Sequence, residues 1–350
     1  MKVAPLMKKL SKHPDAFRAR LIHTGQHYDT EMSDVFFCDL DLPQPDRLLG
    51  VGSGSHAEQT AKIMVAFEQV CIEERPDLVV VVGDVNSTMA CVITAKKLCI
   101  PVAHVEAGLR SRDWTMPEET NRVVTDAVSD LLFTPSRDAD ENLLREGVPA
   151  ERIHFVGNVM VDCLLAQLPK TEHRDSLQRF GLNEGNYAIL TLHRPSNVDD
   201  PEVFYGIVEV MRELSQELPI VWPVHPRTRK NLEDFGLLSR GKNGNGVKLT
   251  DPIGYLDMLT LNRSARIIIT DSGGLQEEAT VLGVPCITLR NNTERPVTVD
   301  VGGNQVVGNR PAGIQSAIAS VLNGKGHKFR IPELWDGKAA ERIVDVLMLI

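Results

Sequence analysis

The feature that most constrains the fold of this 350-residue chain is a repeated alternation of short apolar, β-branched runs with longer segments of helical character. Runs at 21–22, 78–82, 102–105, 131–133 and 153–156 mark the first half, and runs at 188–192, 220–224, 247–249, 267–270 and 286–289 repeat the pattern in the second. Strands that are apolar on both faces and separated by helices pair in parallel, with helices covering the sheet on both sides. The sequence therefore predicts an α/β protein of two Rossmann-like, doubly wound domains. The first is expected over 1–157 and the second over 158–337, with the boundary near Gly157-Asn158. A helical tail at 338–350 follows the loop at 332–337 and is expected to cross back onto the first domain.

Composition removes several classes of function. A formal net charge of -9 offers no basic face to a nucleic acid. No apolar run reaches the roughly 18 residues that span a bilayer, so no membrane partner is expected. The six cysteines stand singly, without a C-x-x-C pair or a secretory signal, and read as reduced core residues of a cytoplasmic protein. His23 and His27 flank a Thr-Gly-Gln turn with no acid or thiol at ligand spacing, so no metal centre is expected. The G-x-G-x-x-G turn of a tightly bound nicotinamide dinucleotide is missing, as is the G-x-S-x-G elbow of a serine hydrolase. No cofactor is expected. The glycine-rich stretch at 50–55 has no lysine after it and no clear strand before it, and reads as a flexible connector.

Ligands of open α/β sheets bind beyond the carboxyl ends of the strands, where loops and helix N-termini converge. Asp84, Glu106, His193 and the pair Asp271-Ser272 stand at such ends. If the two edges face one another, they form a cleft of carboxylates, an imidazole and a glycine turn. The segment D-S-G-G-L-Q-E-E at 271–278 has the form of a strand end, a glycine turn and a helix start, which makes an anion cradle suited to a diphosphate. Glu278 falls one helical turn in, within reach of ribose hydroxyls, and Arg295 in T-E-R-P is a candidate cation for the phosphates. Pro117 and the two glutamates after it start a helix; capping explains Glu118 and Glu119 as well as a third cleft carboxylate at Glu118 does.

These residues resemble one family, the non-hydrolysing UDP-N-acetylglucosamine 2-epimerases. The matching segments are T-G-Q-H at 24–27, G-D at 83–84, H-V-E-A-G-L-R at 104–110, P-E-E-x-N-R at 117–122 and G-N at 157–158. The second half adds H-R at 193–194, P-V-H-P at 223–226, D-S-G-G-x-Q-E-E at 271–278 and T-E-R-P at 293–296. The resemblance implies a glycosyltransferase-B type fold with its two domains facing across a cleft. It also implies a reaction, loss of the sugar C2 proton with elimination of UDP, then return of both with the C2 proton on the opposite face. By resemblance the catalytic groups are Asp84, Glu106, Glu118 and His193, and the UDP contacts are Lys2, Ile253, Met258, Ser272, Gly273, Gly274, Glu278 and Arg295. Gln26, Arg194 and His225 match a second, activating sugar site found in some members, although Asp29 departs from its pattern.

Other departures bear on the sugar. Met258 stands where some members place an aromatic against the uracil, and Ser196 where an acid is common, as in branches that take 2,3-diacetamido uronic acids. The family's first strand and its G-T-R-P-E turn would precede Lys2, so this sequence is expected to lack that strand, and a longer chain to be the active form. The expected partners are a UDP-sugar and a second copy of the chain in a homodimer. A hydrolysing 2-epimerase, a UDP-sugar glycosyltransferase and a non-catalytic nucleotide-sugar sensor remain open at this point.

Overall fold

The computed structural model describes residues 1–25, 40, 42–237, 246–324 and 329–350. They form two units, Met1–Ala166 with Glu333–Ile350, and Gln167–Pro332.

In the first unit, β1 (Ile22–His23) and β2 (Arg47–Leu48) pair in parallel as a small sheet. A larger parallel sheet has the order β3-β4-β5-β6, built from Val79–Val82, Val102–Val105, Leu131–Thr134 and Ile153–Phe155. The helices are α1 (Val3–Leu10), α2 (His56–Glu74), α3 (Asn86–Lys97), α4 (Pro117–Val128), α5 (Arg137–Arg145) and α6 (Val159–Gln167). Side chains of successive strand residues point to opposite faces. In β4, Val102 joins Ile63, Phe67 and Val79 on one side, whereas Ala103 and Val105 join Leu6, Phe133 and Ile343 on the other. Both faces are therefore apolar and covered.

Ile343 belongs to the C-terminal helix, Ala339–Leu347, which packs on α1. Its first turn is capped by Asp162 of α6, whose carboxylate accepts from the backbone N–H of Ala339 at 3.0 Å and Ala340 at 2.7 Å. The indole of Trp335 donates to the Pro135 carbonyl at 2.9 Å. The first boundary lies after Ala166 rather than at 157, because α6 carries Val159 and Asp162, which pack on or cap elements of this unit.

The second unit is one parallel sheet of order β12-β11-β10-β7-β8-β9. Its strands are Ala188–Thr191 (β7), Ile220–Pro223 (β8), Val247–Thr250 (β9), Ile267–Thr270 (β10), Cys286–Thr288 (β11) and Asn304–Val306 (β12). Helices α7 (Pro201–Leu214), α8 (Pro226–Asp234), α9 (Tyr255–Arg263), α10 (Gly273–Leu282) and α11 (Pro311–Leu322) flank it. Leu190 and Ile269 pack with Phe204 of α7 and Ile314 of α11, and Ile189 and Ile268 pack with Leu261 of α9 and Ala279 of α10. The two doubly wound α/β units expected from the sequence are present.

Three local expectations change. A strand, β2, does precede the glycine-rich stretch at 50–55, and Ser55 ends that stretch in a capping box with Glu58, so it is the entry to α2 rather than a loose connector. Asn304–Val306 adds a sheet-edge strand that its polar sequence had not marked. Cys71, Cys91, Cys163 and Cys286 are buried, but Cys99 is exposed in the turn before β4, in the left-handed region at φ 60°; Cys38 lies outside the described residues. Among the described residues no helix is long and apolar enough to cross a membrane, and no group of three or more His, Cys, Asp or Glu side chains is placed to hold a metal ion.

Candidate functional site

The polar residues of the first unit gather at the carboxyl ends of β3 and β4. Glu106 follows β4 with φ at 74°, a conformation that costs a residue with a side chain about 1–3 kcal/mol. Its buried carboxylate pairs with the Lys2 ammonium. Gly83, also left-handed, makes room for that pair: a Cβ there would stand 3.2 Å from Lys2 Nζ and 3.4 Å from Glu106 Oε2. The next residue, Asp84, accepts from Arg122 of α4 through Nε at 2.9 Å and Nη2 at 2.8 Å.

Arg122 is itself buried and reaches Glu119 through Nη1 at 2.5 Å. Glu119 also accepts from the backbone N–H of Ser111 at 3.0 Å and of Arg112 at 2.8 Å. Burial works to raise the Glu119 carboxyl, but these donors outweigh it and hold it below the usual carboxylate range. The two glutamates that helix capping explained equally from sequence thus part company. Glu119 fixes the 111–112 loop, whereas Glu118 is half-exposed and makes no hydrogen bond or ion pair among the described residues. Glu118 and Arg122 are four apart on α4, so they share one helix face.

Behind these groups lies a buried network. His104 contacts the Gly83 carbonyl through Nε2 at 2.8 Å and Asp126 through Nδ1 at 2.6 Å, and Asp126 also accepts from Arg110 at 2.7 Å. The sequence read Glu119 only as a capping residue and Arg122 only as part of P-E-E-x-N-R, and it did not mark Asp126. Their i, i+3 and i+7 spacing from Glu119 along α4 was the available signal.

In the second unit, Ser272 holds the N-cap position of α10 without a side-chain capping bond and Gly273-Gly274 form its first turn, leaving backbone N–H groups for an anion. The cradle is braced from beneath. Arg295 is buried, with Nε 2.6 Å from Glu277 Oε1 and a second contact to Glu294, while Arg290 donates to Glu294 at 2.7 Å. Two guanidinium and two carboxylate charges offset one another here. Arg295 is therefore less a spare cation for phosphate than the sequence suggested. It presses on the turn instead: a Cβ on Gly273 would meet its Nη1 at 2.8 Å and Glu294 Oε1 at 2.7 Å.

Glu278, one turn into α10, is buried beside Tyr255 and Asn262 of α9. Burial, helped by the Glu277 charge, pushes its carboxyl up to about 7 against the hydrogen bonds of Tyr255 and Asn262. The folded-state value exceeds the ordinary 4.5, so folding is favoured while the group is protonated; that contribution is complete below 4.5 and lost as pH rises through about 7. Glu278→Gln, which mimics the protonated form, is expected to match the parent's unfolding free energy at pH 3.5 and exceed it at pH 8, by roughly 3 kcal/mol. Calorimetry at both pH values checks this, and an equal offset at both would remove the assignment.

Ile253 and Met258 are half-buried and pack on the core cluster that holds Leu261 and Ala279. His193 lies 6.4 Å from His225, ring centroid to centroid, and its Nδ1 is 2.8 Å from Asp271. Arg194 turns back to donate through Nε to the Asp271 carbonyl at 3.0 Å. Burial pushes the His225 imidazole down, and His193 and Arg227 add to that. Gln26 lies outside the described residues, as do His27 and Asp29.

A family model described as UDP-N-acetylglucosamine 2-epimerase matches residues 8–348. The chain is 45% identical, over 99% of its length and 95% of the relative's, to the UDP-N-acetylglucosamine 2-epimerase of Methanocaldococcus jannaschii. It is 40% identical, over 93% and 90%, to the UDP-2,3-diacetamido-2,3-dideoxy-D-glucuronate 2-epimerase of Pseudomonas aeruginosa. Among solved structures it resembles the M. jannaschii enzyme in complex with UDP-GlcNAc and UDP, with a TM-score of 0.91 at 44% identity over 100% of this chain and 96% of that one. The Neisseria meningitidis enzyme bound to UDP-GlcNAc also gives 0.91, at 31% identity over 100% and 96%.

Proposed function

The chain belongs to the UDP-N-acetylglucosamine 2-epimerase family, and from that premise we propose that it inverts C2 of UDP-N-acetylglucosamine by eliminating UDP and adding it back. It is an isomerase of UDP-sugars with the two-unit fold of the glycosyltransferase-B class. The observation that carries the mechanistic reading is Glu106, a buried carboxylate in a strained backbone position, paired with Lys2 beside the Gly83-Asp84 turn. Strain of that kind persists where the surrounding structure holds a group for use.

Departure of UDP breaks the bond from C1 to the diphosphate oxygen, whose electron pair leaves with UDP. Positive charge developing at C1 acidifies C2–H, a carboxylate takes that proton, and the C1–C2 double bond of a 2-acetamidoglucal forms. Return of UDP to C1 with a proton delivered to the other face of C2 completes the inversion. Two faces need two proton-handling groups, and Asp84, Glu106 and Glu118 supply three carboxylates. Lys2 holds Glu106 ready, and Arg122 aims Asp84. Ser272, Gly273 and Gly274 take the diphosphate, Glu278 the ribose, and the backbone near Ile253 and Met258 the uracil, with Arg295 bracing the turn and His193 on the phosphate side. The reading extends to a cytoplasmic homodimer that supplies precursors of cell-surface polysaccharide, with neither metal nor cofactor in the reaction.

Incubation with UDP-N-acetylglucosamine in D₂O, followed by NMR, is expected to give the manno epimer with deuterium at C2. Epimer that keeps its original C2 hydrogen would refute the elimination. Release of free UDP and N-acetylmannosamine would instead identify the hydrolysing reaction. The 2,3-diacetamido uronic acid substrate belongs in the same assay, because Ser196 and the P. aeruginosa relative both point to it.

A further inference from the structure

Asp271 has no role in the proposed chemistry, yet its carboxylate is fully buried at the end of β10, and its donors among the described residues come from one stretch, residues 193–197, the end of the loop after β7 and the short helix Pro195–Val198. It accepts from His193 Nδ1 at 2.8 Å, from the His193 backbone N–H at 3.1 Å, from the Arg194 N–H at 2.9 Å and from Asn197 Nδ2 at 3.1 Å. Asn197 in turn donates to the Leu289 carbonyl at 2.9 Å, which ties the loop to the strand beyond β10. Burial of this carboxylate works against its ionisation, and the His193 and Arg194 donors overcome that and hold it ionised. The His193 ring is half-exposed, and its Nδ1 is the nitrogen committed to Asp271. The residue after Asp271 is Ser272, the cap of the anion cradle.

We propose that Asp271 is a positioning residue of the epimerase reaction: it holds the proton of His193 on Nδ1, so that Nε2 is the nitrogen presented to substrate, and it locks the His193 loop to the turn that carries the diphosphate. This rests on the function proposed above. A carboxylate accepts only, so a neutral His193 ring must donate from Nδ1 and keep Nε2 as an acceptor, while a charged ring donates from both. Either form places Nε2 toward the phosphate side with its hydrogen-bonding sense set by Asp271 rather than by water. The second contact matters equally. Three further donors on the same carboxylate tie the 193–197 stretch to the residue that precedes the cradle.

Two measurements test it. The first is a double-mutant cycle in kcat with Asp271→Asn and His193→Gln, read beside the affinity for UDP and the thermal midpoint. Asparagine keeps the shape but turns an acceptor oxygen into a donor facing N–H groups. Asp271→Asn is expected to lower kcat about 10²-fold in the parent and less than about threefold in the His193→Gln background. Equal losses in both backgrounds would reduce Asp271 to a structural residue and overturn the proposal. The second needs no variant: ¹⁵N spectra of histidine-labelled protein are expected to show the neutral His193 ring protonated at Nδ1. Protonation at Nε2 would overturn the proposal whether or not Asp271→Asn folds. A parent that binds UDP but gives no epimer would count against the proposed reaction, and the spectrum would still decide the tautomer.

Discussion

Asp84→Asn, Glu106→Gln and Glu118→Gln are each expected to lower kcat by at least about 10²-fold, the usual contribution of a positioned general acid or base. Their effects on stability should differ, which makes the set informative. Glu118 is half-exposed and its side chain has no partner among the described residues, so Glu118→Gln should leave the unfolding free energy within about 0.5 kcal/mol of the parent's. Glu106→Gln leaves the Lys2 ammonium beside a neutral amide, and Asp84→Asn leaves the buried Arg122 guanidinium short of one counter-charge. Both should cost stability as well as rate, since removing one partner of a buried pair strands the other. Steady-state rates and thermal midpoints of the three proteins check this together. Near-parental turnover in any one of them ends that residue's place in the chemistry.

What the sequence disclosed follows from how strongly each feature is written into residue type. The central strands were legible because V-V-V-V at 79–82 and I-I-I at 267–269 fit little besides a strand covered on both faces. Arg47–Leu48 and Asn304–Val306 were not, since short strands with polar residues carry neither an apolar run nor a clear alternation. Strand-end acids were legible because the carboxyl edge of a parallel sheet is where ligands bind. Which acids are structural was harder to read. Glu118 and Glu119 are neighbours of one chemical type in one helix turn, and only the direction of the 111–112 backbone separates them. Arg295 reads as a free cation in T-E-R-P until Glu277 and Glu294 are found folded against it, the one from α10 and the other its own chain neighbour. Asp271 was visible as a strand end, but its four donors come from residues more than seventy positions earlier. Pairings at that separation depend on strand order, here β7 beside β10, which no local pattern states.

The domain boundary gives the second large prediction, because one residue decides whether the C-terminal segment can close over the first unit. Gly157 follows β6 with φ at 88°, and a Cβ built on it would stand 2.1 Å from the Leu334 carbonyl oxygen and 3.1 Å from the Leu334 Cβ. Both obstacles resist movement. The first is backbone, and the segment that carries it is held by Trp335 on the Pro135 carbonyl and by Asp162 on the start of the C-terminal helix. Arg342 adds a bond to the Val156 carbonyl at 3.0 Å, next to the glycine itself. Gly157→Ala must therefore pay the left-handed penalty of about 1–2 kcal/mol and displace a segment that contributes Ile343, Val344 and Leu347 to the core. The expected loss is about 4 kcal/mol or more, a fall in the thermal midpoint of roughly 10 °C for a unit of this size. Gly147→Ala is the control. Its φ is 84° and nothing lies within 4 Å of its added Cβ, so it bears the backbone penalty alone and should lose about 1–2 kcal/mol. Scanning calorimetry of the two variants separates the terms, and equal losses would mean that the contact with Leu334 does not hold the C-terminal segment in place.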